Sequence, residues 1–116
     1  AVYVLQRDAK PGERLAMWGW QPNLYVETGM AQGTRDAHTA FLIATGSLRD
    51  YYRARYLADF RHNQPGWFVD AVGPGRFCYQ DRTLSGYETF PALAAIVQSD
   101  YTFVADVEGY RIYRRK

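Results

Sequence analysis

Cysteine and lysine are nearly absent from this 116-residue chain, and histidine is scarce. One cysteine, Cys78, excludes an internal disulfide framework and any multi-cysteine zinc site. Two histidines leave little room for a histidine-rich metal centre. No apolar run reaches the roughly 18 residues needed to span a bilayer as a helix. A net charge of +2 is too small to argue for nucleic acid. The sequence holds no His-Glu-x-x-His, no Walker loop and no Gly-x-Ser-x-Gly elbow, so no metal or cofactor is expected.

What is present is an ordinary globular composition, 47% hydrophobic and 22% charged, which predicts one soluble domain over residues 1–116. The basic residues are 12 arginines and two lysines, a bias of GC-rich bacterial codons. Aromatic residues reach 16%, with ten tyrosines, suited to a core, its margin, and surfaces that meet sugars or lipid head groups. The chain opens Ala1-Val2-Tyr3-Val4-Leu5 without methionine or signal peptide, as a processed chain or a piece of a longer one would.

Periodicity and punctuation divide the chain. A helix ends before Lys10-Pro11-Gly12, and the mostly apolar Arg14–Trp20 run predicts a strand covered on both faces, with Trp18 and Trp20 on one of them. Pro22 opens a short helix to Glu27 or Thr28, with Gly29 at its left-handed cap. A short strand or extended loop follows from Met30 to Thr34, ending near Arg35, then a helix over residues 36–45. A longer helix runs from the Ser47-Leu48-Arg49-Asp50 box to Asn63, with Leu48, Tyr52, Tyr56 and Phe60 inward and Arg49, Arg53, Asp59 and Arg61 outward.

Trp67–Val72 is the clearest strand, followed by a long loop to about Glu88. A helix from Pro91 to about Asp100 precedes the hairpin Tyr101–Val107 and Tyr110–Arg114. Strands alternating with helices predict an α/β fold: a three-layer sandwich with a mostly parallel, Rossmann- or flavodoxin-like sheet of about five strands, order 2-1-3-4-5, ending in the antiparallel hairpin. Leu15, Met17, Val69, Leu93, Ile96, Phe103 and Val104 are the expected core.

Chemical signals are sparse. Gly73-Pro74-Gly75 follows a strand, but Cys78 stands where a dinucleotide fingerprint needs its third glycine. Cys78 reads as a semi-buried inert thiol rather than a nucleophile served by His38 or His62. Asp59 and His62 read as surface residues rather than metal ligands. The Arg111, Arg114, Arg115 and Lys116 cluster is a solvated tail that could also meet anionic head groups. Ligands in open α/β sheets sit beyond the carboxyl ends of the strands. That edge collects Trp20, Gln21, Asn23, Thr34, Arg35 and Asp70, a candidate sugar- or phosphate-reading set with Arg35 as the anion contact.

Several stretches taken together carry a resemblance: Pro11-Gly12-Glu13-Arg14-Leu15, then Trp18-Gly19-Trp20-Gln21-Pro22-Asn23-Leu24-Tyr25, Thr28-Gly29, Gly33-Thr34-Arg35, Asn63 through Asp70, and Tyr101 through Arg114. From about Lys10 to its end the chain resembles the soluble C-terminal domain of bacterial polytopic membrane glycosyltransferases, relatives of the protein mannosyltransferases and the lipid A aminoarabinose transferase. The resemblance implies a polyprenyl-phosphate sugar as donor, a membrane-embedded domain of the same chain as partner, and a periplasmic position at the bacterial inner membrane. The family's catalytic acid lies in an early periplasmic loop outside these residues, so no catalytic residue is carried over. The expected role is accessory: capping the active-site cavity or contacting acceptor. The alternative is a free-standing small-molecule or sugar-binding α/β module. A third reading is a small enzyme using Asp70 or Cys78.

Overall fold

A computed structural model describes residues 1–116. Five strands form one mixed sheet in the order β2-β1-β3-β5-β4, with helices packed against it. Helix α1 (Val2–Asp8) leads through the Lys10–Glu13 turn into β1 (Arg14–Trp18). Helix α2 (Asn23–Thr28) follows Pro22 and ends on Gly29, whose φ of 71° is the left-handed cap that the glycine predicted. Strand β2 is only Ala31–Gln32. Then come α3 (Ala40–Ile43), α4 (Arg49–Asn63) and β3 (Trp67–Asp70). The stretch expected to be a long loop contains α5 (Arg82–Ser85), capped by the Asp81 carboxylate, and a 3-10 turn at Tyr87–Thr89. Helix α6 (Pro91–Asp100) precedes β4 (Tyr101–Val107) and β5 (Tyr110–Arg115).

The strand order differs from expectation at its last two positions. The chain leaves β3, crosses through α6 and skips one place. The hairpin then returns β5 into the gap, antiparallel to both β3 and β4. Two pairings are therefore parallel and two antiparallel, so the sheet is mixed rather than mostly parallel. The burial of each strand explains the choice: Ile112 of β5 is fully buried, while most of β4 is not. As the edge strand, β4 leaves Phe103 53% and Val104 39% exposed, so neither is the core residue that its apolar character suggested. A register shift between Phe103 and Ala105 and the exposed Asp106 blunt this edge against pairing with another strand.

Alternation along β1 and β3 feeds two apolar clusters. Ala16, Trp18 and Phe68 join Tyr56 and Phe60 of α4 and Leu93, Ala94 and Val97 of α6. Leu15, Met17, Trp67 and Val69 join Val4 and Leu5 of α1 and Leu24 and Tyr25 of α2. All four residues of β3 are fully buried, which accounts for its unbroken apolar run before Asp70. Leu15, Met17, Val69 and Leu93 are core as expected; Ile96 is only half-buried.

Three expectations along the helices fail for local reasons. The helix over residues 36–45 shrinks to one turn: Thr39, just before it, is bonded to Gly19 at the edge of β1, and Arg35 and Asp36 are held by Asp59 and Arg55 of α4. The capping box does not form: α4 starts on Leu48 without a side-chain cap, and Leu48 is 57% exposed. Arg53, expected in solvent, is half-buried. It lies over the Phe90 ring and donates to the Leu42 and Thr89 carbonyls, tying α3 and the start of α6 to α4. The burial difference between α6 and β4 sets a test. Leu93→Ala should cost about 2–5 kcal/mol in urea denaturation, as for a filled core site, and Val104→Ala about 1 kcal/mol or less.

Candidate functional site: an aromatic ladder at the carboxyl rim of the strands

The site begins as a backbone problem. Strand β2 pairs with β1 only at Arg14 and Leu15, and Gly33 N–H still reaches the Leu15 carbonyl at 2.8 Å. Beyond that point β1 has no strand neighbour on this side, so its inward polar groups need other partners. The Met17 carbonyl accepts the Tyr56 hydroxyl at 2.8 Å, fully buried. Gly19 N–H donates to Thr39 Oγ1 at 2.7 Å, and the Gly19 carbonyl accepts Thr39 N–H at 3.0 Å. Thr39, fully buried, thus acts as a strand substitute.

Gly19 makes the junction possible. Its φ of 117° lies outside the range of L-residues, and a Cβ there would stand 3.2 Å from Ala71. The turn ends β1 at Trp18 and takes Trp20 out of the strand's alternation. Trp18 stays in the core and donates its indole N–H to the Ser85 carbonyl at 2.8 Å, whereas Trp20 reaches the surface.

Pairing Gly19 with Thr39 brings their neighbours together. Trp20 stacks on His38 with centroids 4.0 Å apart and planes at 21°, and the edge of Phe77 meets Trp20 at 6.1 Å. His38 Nδ1 accepts Ala40 N–H at 3.3 Å, fixing the ring at the start of α3. Phe41 follows His38 at 6.1 Å, stacks on Tyr52 at 5.4 Å, and Tyr52 meets Tyr51 at 5.3 Å. Six rings from four separate segments thus form a continuous ladder. Phe41, Tyr51 and Phe77 are each about 60% exposed. Beside it, Phe41, Leu48, Arg49 and Tyr52 line a shallow depression of about 270 Å³.

The six residues expected to share this rim are divided among four places. Trp20 belongs to the ladder, with Gln21 half-buried and Asn23 exposed just after it. Thr34 is buried and donates to the Asp36 carbonyl, a structural bond. Arg35 is turned to the flank of α4, where Nε and Nη2 grip both Asp59 oxygens at 2.9 Å and its backbone N–H adds a third bond. The bidentate fork expected to hold an external anion already holds Asp59, and the guanidinium keeps that carboxyl below its ordinary range. Asp36 pairs with Arg55 through a single contact, Nη2 to Oδ1 at 2.8 Å.

Asp70 ends β3, opposite Trp18 in the register, and is fully buried. One oxygen accepts Val72 N–H at 3.1 Å, and the other lies 2.6 Å from Arg82 Nη1. Arg82 also donates to the Val72 carbonyl at 2.9 Å and pairs with Glu88 at 2.6 Å. This clamp fastens the segment that follows β3 to the sheet. Burial outweighs Arg82 and pushes the Asp70 carboxyl up to about 6. Cys78 is exposed, not semi-buried, and adopts φ 65° at the tip that presents Phe77. No group of three His, Cys, Asp or Glu side chains is placed to hold a metal ion, and no helix is long and apolar enough to cross a membrane.

Sequence reasoning found Trp20 and missed His38, Phe41, Tyr51, Tyr52 and Phe77 as its companions. Helical spacing had assigned Tyr52 inward. The available signal was Gly19 between two tryptophans, which marks a break where a strand reading runs on.

Two outcomes test this geometry. Thr39→Val should cost about 1–3 kcal/mol, the penalty for stranding the buried Gly19 N–H, and should raise quenching of Trp20 fluorescence by acrylamide. Asp70, with its folded value above its unfolded one, contributes stability that is full below the unfolded carboxylate range and is lost as pH rises through about 6. In urea titrations at about pH 4 and about pH 7, the wild type should lose up to roughly 3 kcal/mol more than Asp70→Asn over that interval. Searches against family models, curated proteins and solved structures find no match to this chain.

Proposed function

We propose that this chain is an accessory extracytoplasmic domain at the C-terminal end of an integral membrane glycosyltransferase that uses polyprenyl-phosphate sugar donors. It is non-catalytic by itself and caps the active-site cavity or contacts the acceptor, on the periplasmic side of a bacterial inner membrane. The membrane-embedded domain of the same chain is its partner. The finer architecture in this proposal is a three-layer Rossmann- or flavodoxin-like sandwich, supported by the two apolar clusters that alternate residues of β1 and β3 enter.

The observation that carries the reading is the ladder on the carboxyl rim of the strands, the edge where ligands of open α/β sheets gather. Rings with polar tips suit sugar faces and hydroxyls, and the Gln21 and Asn23 side chains beside Trp20 have no hydrogen bonds of their own to give up. Asp70, paired with Arg82, fastens the segment that carries Phe77, whereas Arg35 is held by Asp59 on the flank of α4.

The test uses the full-length membrane chain. Cys78 in intact cells should react with a membrane-impermeant maleimide, with Cys78→Ser as the control. Trp20→Ala should lower sugar transfer about tenfold or more through misplacement of a partner. Labelling only after the inner membrane is opened, or transfer unchanged by Trp20→Ala, would overturn the reading. The same ladder supports the alternative of a free-standing sugar-binding module. A gene with no membrane-spanning segments upstream would favour that alternative.

A further inference from the structure

We infer that the aromatic ladder is a membrane-interface contact, lying flat against the head groups of an anionic bilayer. The inference deepens the reading above and rests on it for the nearness of a membrane.

Exposed rings adjoin one another on this face. Tyr3 at 71% and Phe103 at 53% lie outside the ladder, whereas Phe41, Tyr51 and Phe77, each about 60% exposed, belong to one run of touching rings, with Leu48 at 57% beside them. Scattered apolar residues on a surface need no explanation; a contiguous run of rings does. The chemistry is amphipathic: the Trp20 indole N–H and the Tyr51 and Tyr52 hydroxyls bond to nothing in the molecule and stay open to solvent. Tryptophan and tyrosine with free polar tips are the residues that settle at head-group depth, while Phe41, Phe77 and Leu48 supply the purely apolar part.

Shape and charge select the occupant. The ladder runs over the surface, and the depression beside it is open to solvent rather than an enclosing cleft. A broad, flat partner therefore matches it better than a small molecule held in a cleft. Arg49 lines the depression and has no carboxylate partner, so its charge is free for an anionic head group.

The test uses the 116-residue chain with vesicles of phosphatidylcholine alone and of phosphatidylcholine with phosphatidylglycerol. Trp18 and Trp67 are fully buried, so an emission change on binding reports Trp20. The wild type should co-sediment with the anionic vesicles with a blue-shifted emission. Phe41→Ser/Phe77→Ser, at two exposed positions, should keep its Tm and bind about tenfold or more weakly. Arg49→Gln should reduce the preference for anionic over neutral vesicles. Absence of vesicle binding, or binding unchanged in the double variant, overturns the inference. So does a Trp20 shift produced by soluble oligosaccharide without vesicle binding, which would make the ladder a sugar platform. Failure here with Cys78 still labelled from outside removes only the lipid contact. Vesicle binding with Cys78 labelled only from inside removes the periplasmic reading instead.

Discussion

The unpaired edge of β1 is the constraint from which most of the functional rim follows. A two-residue neighbour leaves the Met17 and Gly19 backbone groups facing away from β3 without a strand to bond them. Buried backbone polar groups are rarely left unpaired, because each would forfeit its bonds to water. Tyr56 and Thr39 fill the gap with a hydroxyl each and, at Thr39, a backbone amide as well. The solution binds α4 to the sheet at one point and pins the segment before α3 at another. Surface features such as the Trp20–His38 stack are consequences of this interior repair.

The same economy appears at the end of β3. Four fully buried residues carry the strand to Asp70, and a carboxylate there is tolerable only with compensation. Arg82 supplies it while holding the Val72 carbonyl and Glu88, so one side chain closes the strand end and anchors the segment that carries Phe77. The incompleteness of that compensation shows in the direction of the Asp70 shift, where burial prevails over the attached cation. Such a pair adds little net stability, because desolvation offsets its attraction, but its contacts fix the segment beside Trp20 to the end of β3.

Arg35 and Arg53 show how composition misleads about function. An arginine-rich surface suggests forks free for anions, but Arg35 is spent on Asp59 and Arg53 on two carbonyls and the Phe90 ring. Arginine suits both uses equally, since the planar fork that grips a phosphate also grips a carboxylate of the same chain. Only the neighbour decides, and the neighbour of Arg35 lies 24 residues further along.

The sequence by itself determined what local chemistry controls: the helix from Pro22 to the left-handed Gly29, the α4 stretch ending near Asn63, the buried run Trp67–Asp70, the terminal hairpin, and the α/β alternation that joins them. These depend on backbone freedom, hydrophobic period and turn residues, all of which act over a few positions. The tertiary structure decided the rest. It placed β5 inside β4, because burial of Ile112 is a property of the assembled sheet. It shortened α3, because Thr39 just before it is held to the edge of β1. It gathered Phe77, Trp20, His38, Phe41, Tyr52 and Tyr51, whose meeting depends on one glycine turn and one threonine 20 residues apart. Local pattern cannot express such a meeting, since each ring by itself reads equally well as core.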